Sequence, residues 1–532
     1  MKVIFRKTKA IKFLLFIIPF YYLAVSSYYH EQYQFYSVYS QDPEYIHYIC
    51  ALSIANGKMR VGNIDNPGTT LQYFMAASFR ITHLFREHIA PFTKDVLSHP
   101  DLYLKIFNTV MNAIIMLMLL FAGFLLFRYS GNIWYALIIQ FSPFSTEIVY
   151  SIVGRIMPET LMPFFSVIFI LIIMKLLFEK ESADQSKIIF AFAVISALFL
   201  ALKLTMTFLV ILPLILLRSP KYKLYFIVST LLIFLVFAIP VTLQLNYFWH
   251  WMKGLFIYAG SYGQGDKNIL DVHRFIPNIV GLYKVNKSFF FFTLLFLISF
   301  TSAWFFKKKN TTRIQNLIAL GILLVLLTEV IVLGKNFKTT YFIPALLLLP
   351  LMVILTVMYL TPFLPEKLRK FVAPVYIMLV ITCFINEQRP SFLNLSVHYE
   401  QMNKQRMKTR YYFETLESNS VKFLIPTQIG APVPQFSLMT SYQWSGRHQS
   451  FYKPYLAELY PNTYILYPWD KSMNYWGNRL NISGEKSVYI YFGNIEDKEN
   501  LKDELAKYLP QNYTLKQLFF NPDTQEAIYQ LN

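Results

Sequence analysis

The sequence predicts a polytopic α-helical membrane protein with about eleven transmembrane helices and a C-terminal mixed α/β extracytoplasmic domain. Three observations predict it. Hydrophobic side chains make up 55% of the 532 residues and charged ones only 15%, a balance foreign to soluble domains. Apolar runs near the span length of about 20 residues recur along the chain. Past residue 386 the hydrophobic density falls and charge rises, which separates 387–532 from 1–386.

The expected spans are 11–28, 104–127, 132–150, 160–178, 187–202, 204–217, 223–243, 289–306, 315–333, 341–360 and 370–386. The net charge of +19 would suggest nucleic acid in a soluble protein; here its distribution orients the chain, and no nucleic-acid partner is expected. Basic residues gather at Lys2–Lys12, Lys175 and Lys180, Arg218–Lys223, Lys307–Arg313 and Lys367–Lys370. With these in the cytoplasm, segments 29–103, 151–159, 244–288, 334–340 and 387–532 face the other side. The basic start and Ala24-Val25-Ser26 also fit a cleaved signal peptide, whereas bulky Phe16, Phe20, Tyr21 and Tyr22 favour a retained first span. Cys50 and Cys383 are the only cysteines, so the sequence encodes no disulfide framework and no cysteine-based metal site.

In the first outer segment, 29–103, residues 42–56 have helical spacing. Tyr45, Ile46, Tyr48, Ile49, Leu52 and Ile54 form an apolar stripe, and Gly57 ends the helix. The stripe predicts a helix lying along the membrane surface, with Asp42 at its first turn, where the helix dipole favours an acid. In 387–532, strands are expected at Val421–Ile425, Tyr464–Tyr467, Ser487–Phe492, Leu515–Phe519 and Glu526–Tyr529, and a helix at Asp497–Tyr508. This domain has no nucleotide loop, hydrolase elbow or metal-ligand spacing. Asn394, Asn481 and Asn512 begin glycan acceptor triplets.

Four outward features can carry chemistry: Asp42 and Glu44 with Asp65 downstream; Arg155 and Glu159; Lys203; and Lys335, Lys338 and Tyr341. Each also has a plain structural reading. Asp42 and Glu44 can cap a helix. Arg155 and Glu159, four apart, can pair on one helix face. The lysines can anchor at the interface, with Tyr341 in the aromatic belt. Together they place carboxylates and cations at the depth of a lipid phosphate. Moving a sugar from a polyprenyl phosphate needs a base for the acceptor hydroxyl and cations for the departing phosphate.

The runs DPEYIHYICALSIANG, NPGTTLQ, RIMPET, ALKLT and KNFKTTYFIP, in that order, resemble the membrane-embedded GT-C glycosyltransferases over residues 10–386. The likeness is nearest to bacterial relatives of protein O-mannosyltransferases and of the lipid A aminoarabinose transferase. It implies Asp42 as catalytic base or acceptor-orienting acid, and Glu159 as the second acidic position. It implies Arg155, Lys203, Lys335, Lys338 and Tyr341 on the donor-phosphate side. Glu44 stands near the second acid of the family's usual pair, with Pro43 intervening. Asn66-Pro67 replaces a common His-Pro pair, leaving Asp65 as a metal or substrate contact.

The implied activity is an inverting transfer from an undecaprenyl- or dolichyl-phosphate sugar to an acceptor outside the cytoplasm, with a bacterial inner membrane favoured by the Lys- and Ile-rich composition. Sugar, acceptor (protein, lipid A, glycolipid or wall polymer) and metal dependence stay open; a divalent metal is compatible with the family but not indicated by the residues. The alternative is a multispan transporter or envelope-polymer export protein. That reading needs acids within spans, for which Glu147 and Glu329 are the candidates, or repeated halves, of which the sequence has none.

Overall fold

The computed structural model describes residues 2–32, 36–39, 42–86, 90–145, 153–179, 185–258, 267, 272–306, 312–335, 338–427, 430–476, 486–510 and 513–532. Lys180, Lys307–Lys309, Glu147, Asn481 and Asn512 lie outside them.

Among the described residues, nine helices are long and apolar enough to cross a membrane: Lys12–Gln32, Pro100–Ser130, Pro158–Phe178, Gln185–Leu202, Pro220–Phe237, Lys287–Phe305, Arg313–Lys335, Thr339–Phe363 and Glu366–Glu414. The two other expected spans are shorter among the described residues, which leave out 146–150. At 132–150, helix covers Ile133–Gln140 and gives way to a tight turn at Ser142–Phe144, where Pro143 has no N–H to continue the ladder. At 204–217, a 3₁₀ stretch Leu204–Val210 runs into a short helix Ile211–Leu216, too short together to span.

Seven helices position the site: α1 (Lys2–Gln32), α2 (Glu44–Ala55), α3 (Thr69–Leu84), α4 (Pro100–Ser130), α5 (Pro158–Phe178), α6 (Gln185–Leu202) and α7 (Glu366–Glu414). Polar side chains stitch them together where lipid would leave backbone groups unanswered. Buried Gln140 donates to Leu15 O at 2.9 Å and Leu119 O at 3.1 Å, tying α1 to α4. Gly123 makes room for it, since a Cβ there would fall 2.2 Å from the Gln140 amide nitrogen.

Helix α2 departs from the expected surface stripe. All its residues except Ile46 and Ala55 are buried. Part of its cover comes from α3, with the Tyr48 and Phe79 rings 5.2 Å apart, and part from the C-terminal part of the chain: Trp444 O accepts from Gly62 N at 2.8 Å and from Cys50 Sγ at 3.2 Å, and Tyr452 Oη donates to Ser53 Oγ at 3.0 Å. An apolar stripe reads alike whether it faces lipid or protein, so periodicity could not foresee that cover.

Helix α7 has 49 residues, roughly 70 Å at the usual rise, and passes through residue 386 unbroken. Beyond it lies a six-stranded sheet: β1 (Val421–Ile425), β2 (Thr463–Leu466), β3 (Met473–Tyr475), β4 (Val488–Phe492), β5 (Leu515–Asn521) and β6 (Glu526–Leu531), in the order β3-β2-β1-β4-β6-β5. The central β1 pairs in parallel with β2 and β4, and β3, β5 and β6 add antiparallel partners. β4 is buried along its whole length, as suits a strand covered on both faces. All five expected strands are present, and β3 is additional. The expected helix at Asp497–Tyr508 is split into Asp497–Asn500 and Lys502–Ala506.

Candidate functional site

Asp42, Glu44, Arg155, Glu159, Lys203 and Lys338 gather at one end of the bundle. Glu44, 1% exposed, opens α2 after Pro43. Its carboxylate takes a bidentate contact from Arg155, Nε to Oε1 at 2.8 Å and Nη2 to Oε2 at 3.0 Å. Arg155 Nη2 also donates to the Asp42 carbonyl at 2.8 Å, so one guanidinium pins the entry to α2. Planar, two-point pairing of this kind fixes orientation as well as charge.

Glu159, in the first turn of α5, is 3% exposed and pairs with Lys203, 5% exposed, which follows the last turn of α6. The Arg155–Glu159 pairing at helical spacing therefore does not form: each residue takes a partner distant in sequence. Lys203 Nζ also lies 5.2 Å from the centre of the Tyr341 ring, and Lys338 Nζ lies 5.8 Å from the same centre. One aromatic ring thus lies near two ammonium groups.

Pro43 rather than Asp42 takes the capping position of α2, and Pro43 makes no side-chain cap. The Asp42 side chain is exposed. Desolvation and the Glu44 carboxylate raise the Asp42 carboxyl above the ordinary aspartate range, with Glu159 adding to the rise. Arg155 and Lys338 oppose it. Asp42, Glu44, Arg155, Glu159 and Lys338 thus act on one another electrostatically.

The NPGTT turn leans on the end of α6. Gly68 N donates to Leu202 O at 3.1 Å and Thr69 Oγ1 to Ala201 O at 3.1 Å, which seats the turn beside Lys203. Gly68 has φ +65, and a Cβ there would sit 3.0 Å from His47 Cε1. Asp65 is half-buried in the same loop; desolvation raises its carboxyl and a hydrogen bond from Tyr247 opposes the rise. Lys335 points elsewhere: Nζ donates to Leu255 O at 2.8 Å and Phe256 O at 2.6 Å, closing the end of the helix Leu245–Ile257.

His47 escaped the sequence reading. It is buried three residues after Glu44, a spacing that puts both on one helix face, and this was the available signal. Burial pushes its imidazole down to about 4; Glu159 raises it and Lys203 lowers it. Of the two acids expected within spans, Glu329 is described; it is fully buried and accepts Ala345 N at 3.1 Å, serving the start of a short helical turn, Ile343–Leu346. Among the described residues, no group of three or more His, Cys, Asp or Glu stands close enough to hold a metal ion.

Fold and site together define an integral membrane protein with two acid–base pairs and an exposed aspartate at one end of its bundle. No protein-family model matches the chain, and no curated protein matches its sequence. Among solved structures, the crystal structure of ArnT from Cupriavidus metallidurans bound to undecaprenyl phosphate is similar at 9% identity, with 96% of this chain and 97% of that one covered and a TM-score of 0.46.

Proposed function

We propose that this protein is a GT-C-type glycosyltransferase that moves a sugar from a polyprenyl-phosphate carrier to an acceptor hydroxyl at the non-cytoplasmic face, inverting the anomeric carbon. The observation that carries the reading is the exposed, upward-shifted Asp42 set within electrostatic range of Lys338, whose ammonium shares the Tyr341 ring with Lys203. A base and a phosphate-binding group are the two things the reaction requires.

In this reading the acceptor oxygen attacks the anomeric carbon and Asp42 takes its proton. The bond from that carbon to the carrier phosphate breaks, and the electron pair leaves with the phosphate. Lys203, Lys338 and the Tyr341 hydroxyl receive the growing charge, with Arg155 adding positive field. Glu159 holds Lys203 in place, and Glu44 holds Arg155. Asp65 contributes to the acceptor side through its loop, and Lys335 acts at one remove by closing the helix next to the donor segment. A carboxyl shifted upward is a stronger base than ordinary aspartate, which suits this role. The Lys and Arg distribution along the loops supports the non-cytoplasmic placement of the site.

Mass spectrometry of lipid-linked sugars in a deletion strain tests the reading. A polyprenyl-phosphate sugar should accumulate, and its mass would name the donor. An unchanged lipid-linked pool, with the wild-type strain expressing the protein, would overturn it.

A further inference from the structure

One buried guanidinium reaches both halves of the Glu44–Arg155 pair from the far end of the chain. Arg410, 5% exposed, lies near the end of α7. Its Nη1 donates to Ser37 Oγ at 2.8 Å and to Asp101 Oδ2 at 3.2 Å, and Nη2 meets the same Asp101 oxygen at 3.2 Å. Asp101 Oδ1 in turn accepts from Tyr45 Oη at 3.2 Å, and Tyr45 is the residue after Glu44. On the other side, Tyr36, next to Ser37, donates from Oη to Gly154 O at 3.3 Å, and Gly154 precedes Arg155. Asn108 holds the same strip of backbone, donating to Gly154 O at 3.1 Å and Arg155 O at 3.3 Å. Asn112 continues the ladder, donating to Asn108 Oδ1 at 2.6 Å and accepting from Tyr22 Oη at 3.0 Å.

One turn earlier on α7, a second buried guanidinium faces the sheet. Arg406 donates from Nε to Glu526 Oε1 at 3.2 Å and from Nη2 to Gly430 O at 2.9 Å. Glu526 also accepts from Tyr491 Oη at 3.0 Å and from Thr409 Oγ1 at 2.5 Å. The last turns of α7 are thus fixed to β6 and the Gly430 backbone by one arginine, and to Ser37 and Asp101, which lead to the Glu44 and Arg155 segments, by the other.

We propose that Arg410 is a positioning residue for the reaction: through Asp101–Tyr45 and Ser37–Tyr36 it sets Glu44 and Arg155 in register, so that the seating of the sheet determines the geometry of the site. A buried, multiply bonded guanidinium is suited to this, because its planar fork leaves little freedom once its acceptors are in place. The inference rests on the proposed function for its consequence and on the hydrogen-bond geometry for its existence.

Two readouts on the full-length protein in nanodiscs separate these. Hydrogen exchange of Arg410→Lys should show lost protection in both 42–47 and 153–156, with 488–492 and 526–531 unchanged. Unchanged exchange at either loop would overturn the brace, as would loss across the sheet, which marks general unfolding. Titration with undecaprenyl phosphate should then show about tenfold weaker binding for Arg410→Lys and less than about twofold further loss when Arg410→Lys is added to Arg155→Met. Equal losses in both backgrounds would mean that Arg410 does not act through Arg155. Ser37→Ala, a gentler cut of the same link, should give a smaller loss that also vanishes with Arg155→Met. Wild-type protein that binds no undecaprenyl phosphate would overturn the proposed function, and the exchange result would still decide the brace.

Discussion

Two pairs of opposite charge lie in the same end of the bundle and differ in what surrounds them. Glu159 and Lys203 are both sealed between helix ends, with Tyr341 beside them. Glu44 and Arg155 sit one layer outward: the carboxylate is buried, the guanidinium is partly open, and Asp42 next to them reaches water. A sealed pair must be matched, since a lone charge there has no solvent to fall back on. An open carboxylate crowded by its neighbours is free to change protonation. The contrast teaches that being acidic and facing the same end does not make residues equivalent: under the proposed function Glu159 holds the phosphate-side Lys203 in place, and the outer aspartate is the base.

The sharpest way to break this contrast is Asp42→Asn. It should lower transfer by about 10²–10⁴-fold while leaving unfolding within about 0.5 kcal/mol of wild type. A parallel loss of stability would make Asp42 structural and erase the distinction. The inner pair should behave in the opposite sense. Glu159→Gln alone strands Lys203 and should destabilise by about 3–5 kcal/mol, whereas Glu159→Gln with Lys203→Met should recover most of that in detergent unfolding curves.

A finer test uses pH. As the proposed base, Asp42 acts only when ionised, so the rate should rise with pH through its elevated value. Removing the opposing cation with Lys338→Met raises that value further and moves the acid limb to higher pH. Removing the like charge with Glu44→Gln lowers it and moves the limb the other way. Rate profiles that shift in the same direction for both would contradict the electrostatic account. The smallest effect is expected at the turn that joins the two regions. Gly68→Ala forces a side chain at positive φ into the His47 ring and should cost about 1 kcal/mol, read as a lowered melting temperature.

The chain's span-length apolar runs and the strand at Val421–Ile425 were legible because each is a local pattern. The partners were not. Helical spacing offers Arg155 to Glu159, but the fold gives Arg155 to Glu44, 111 residues away, since the backbone turns before α5 begins. Lys335, near Lys338 in sequence, meets the Leu255 and Phe256 carbonyls instead. The edge strand β3 spans Met473–Tyr475, too short for any alternation to show. Arg410 has no local signal at all, because its meaning lies in loops that begin far upstream.

The unbroken α7 makes the sheet's seating a matter of helical phase. Each residue added between the bilayer and Arg406 would lift the sheet by about 1.5 Å and swing it by about 100°. Four added residues overshoot one turn by about 40°, bringing both arginines back towards their bearings but about 6 Å higher; two would point them away from the site. The protein thus keeps time along a single rod, and the count of residues between lipid and sheet is itself under structural constraint.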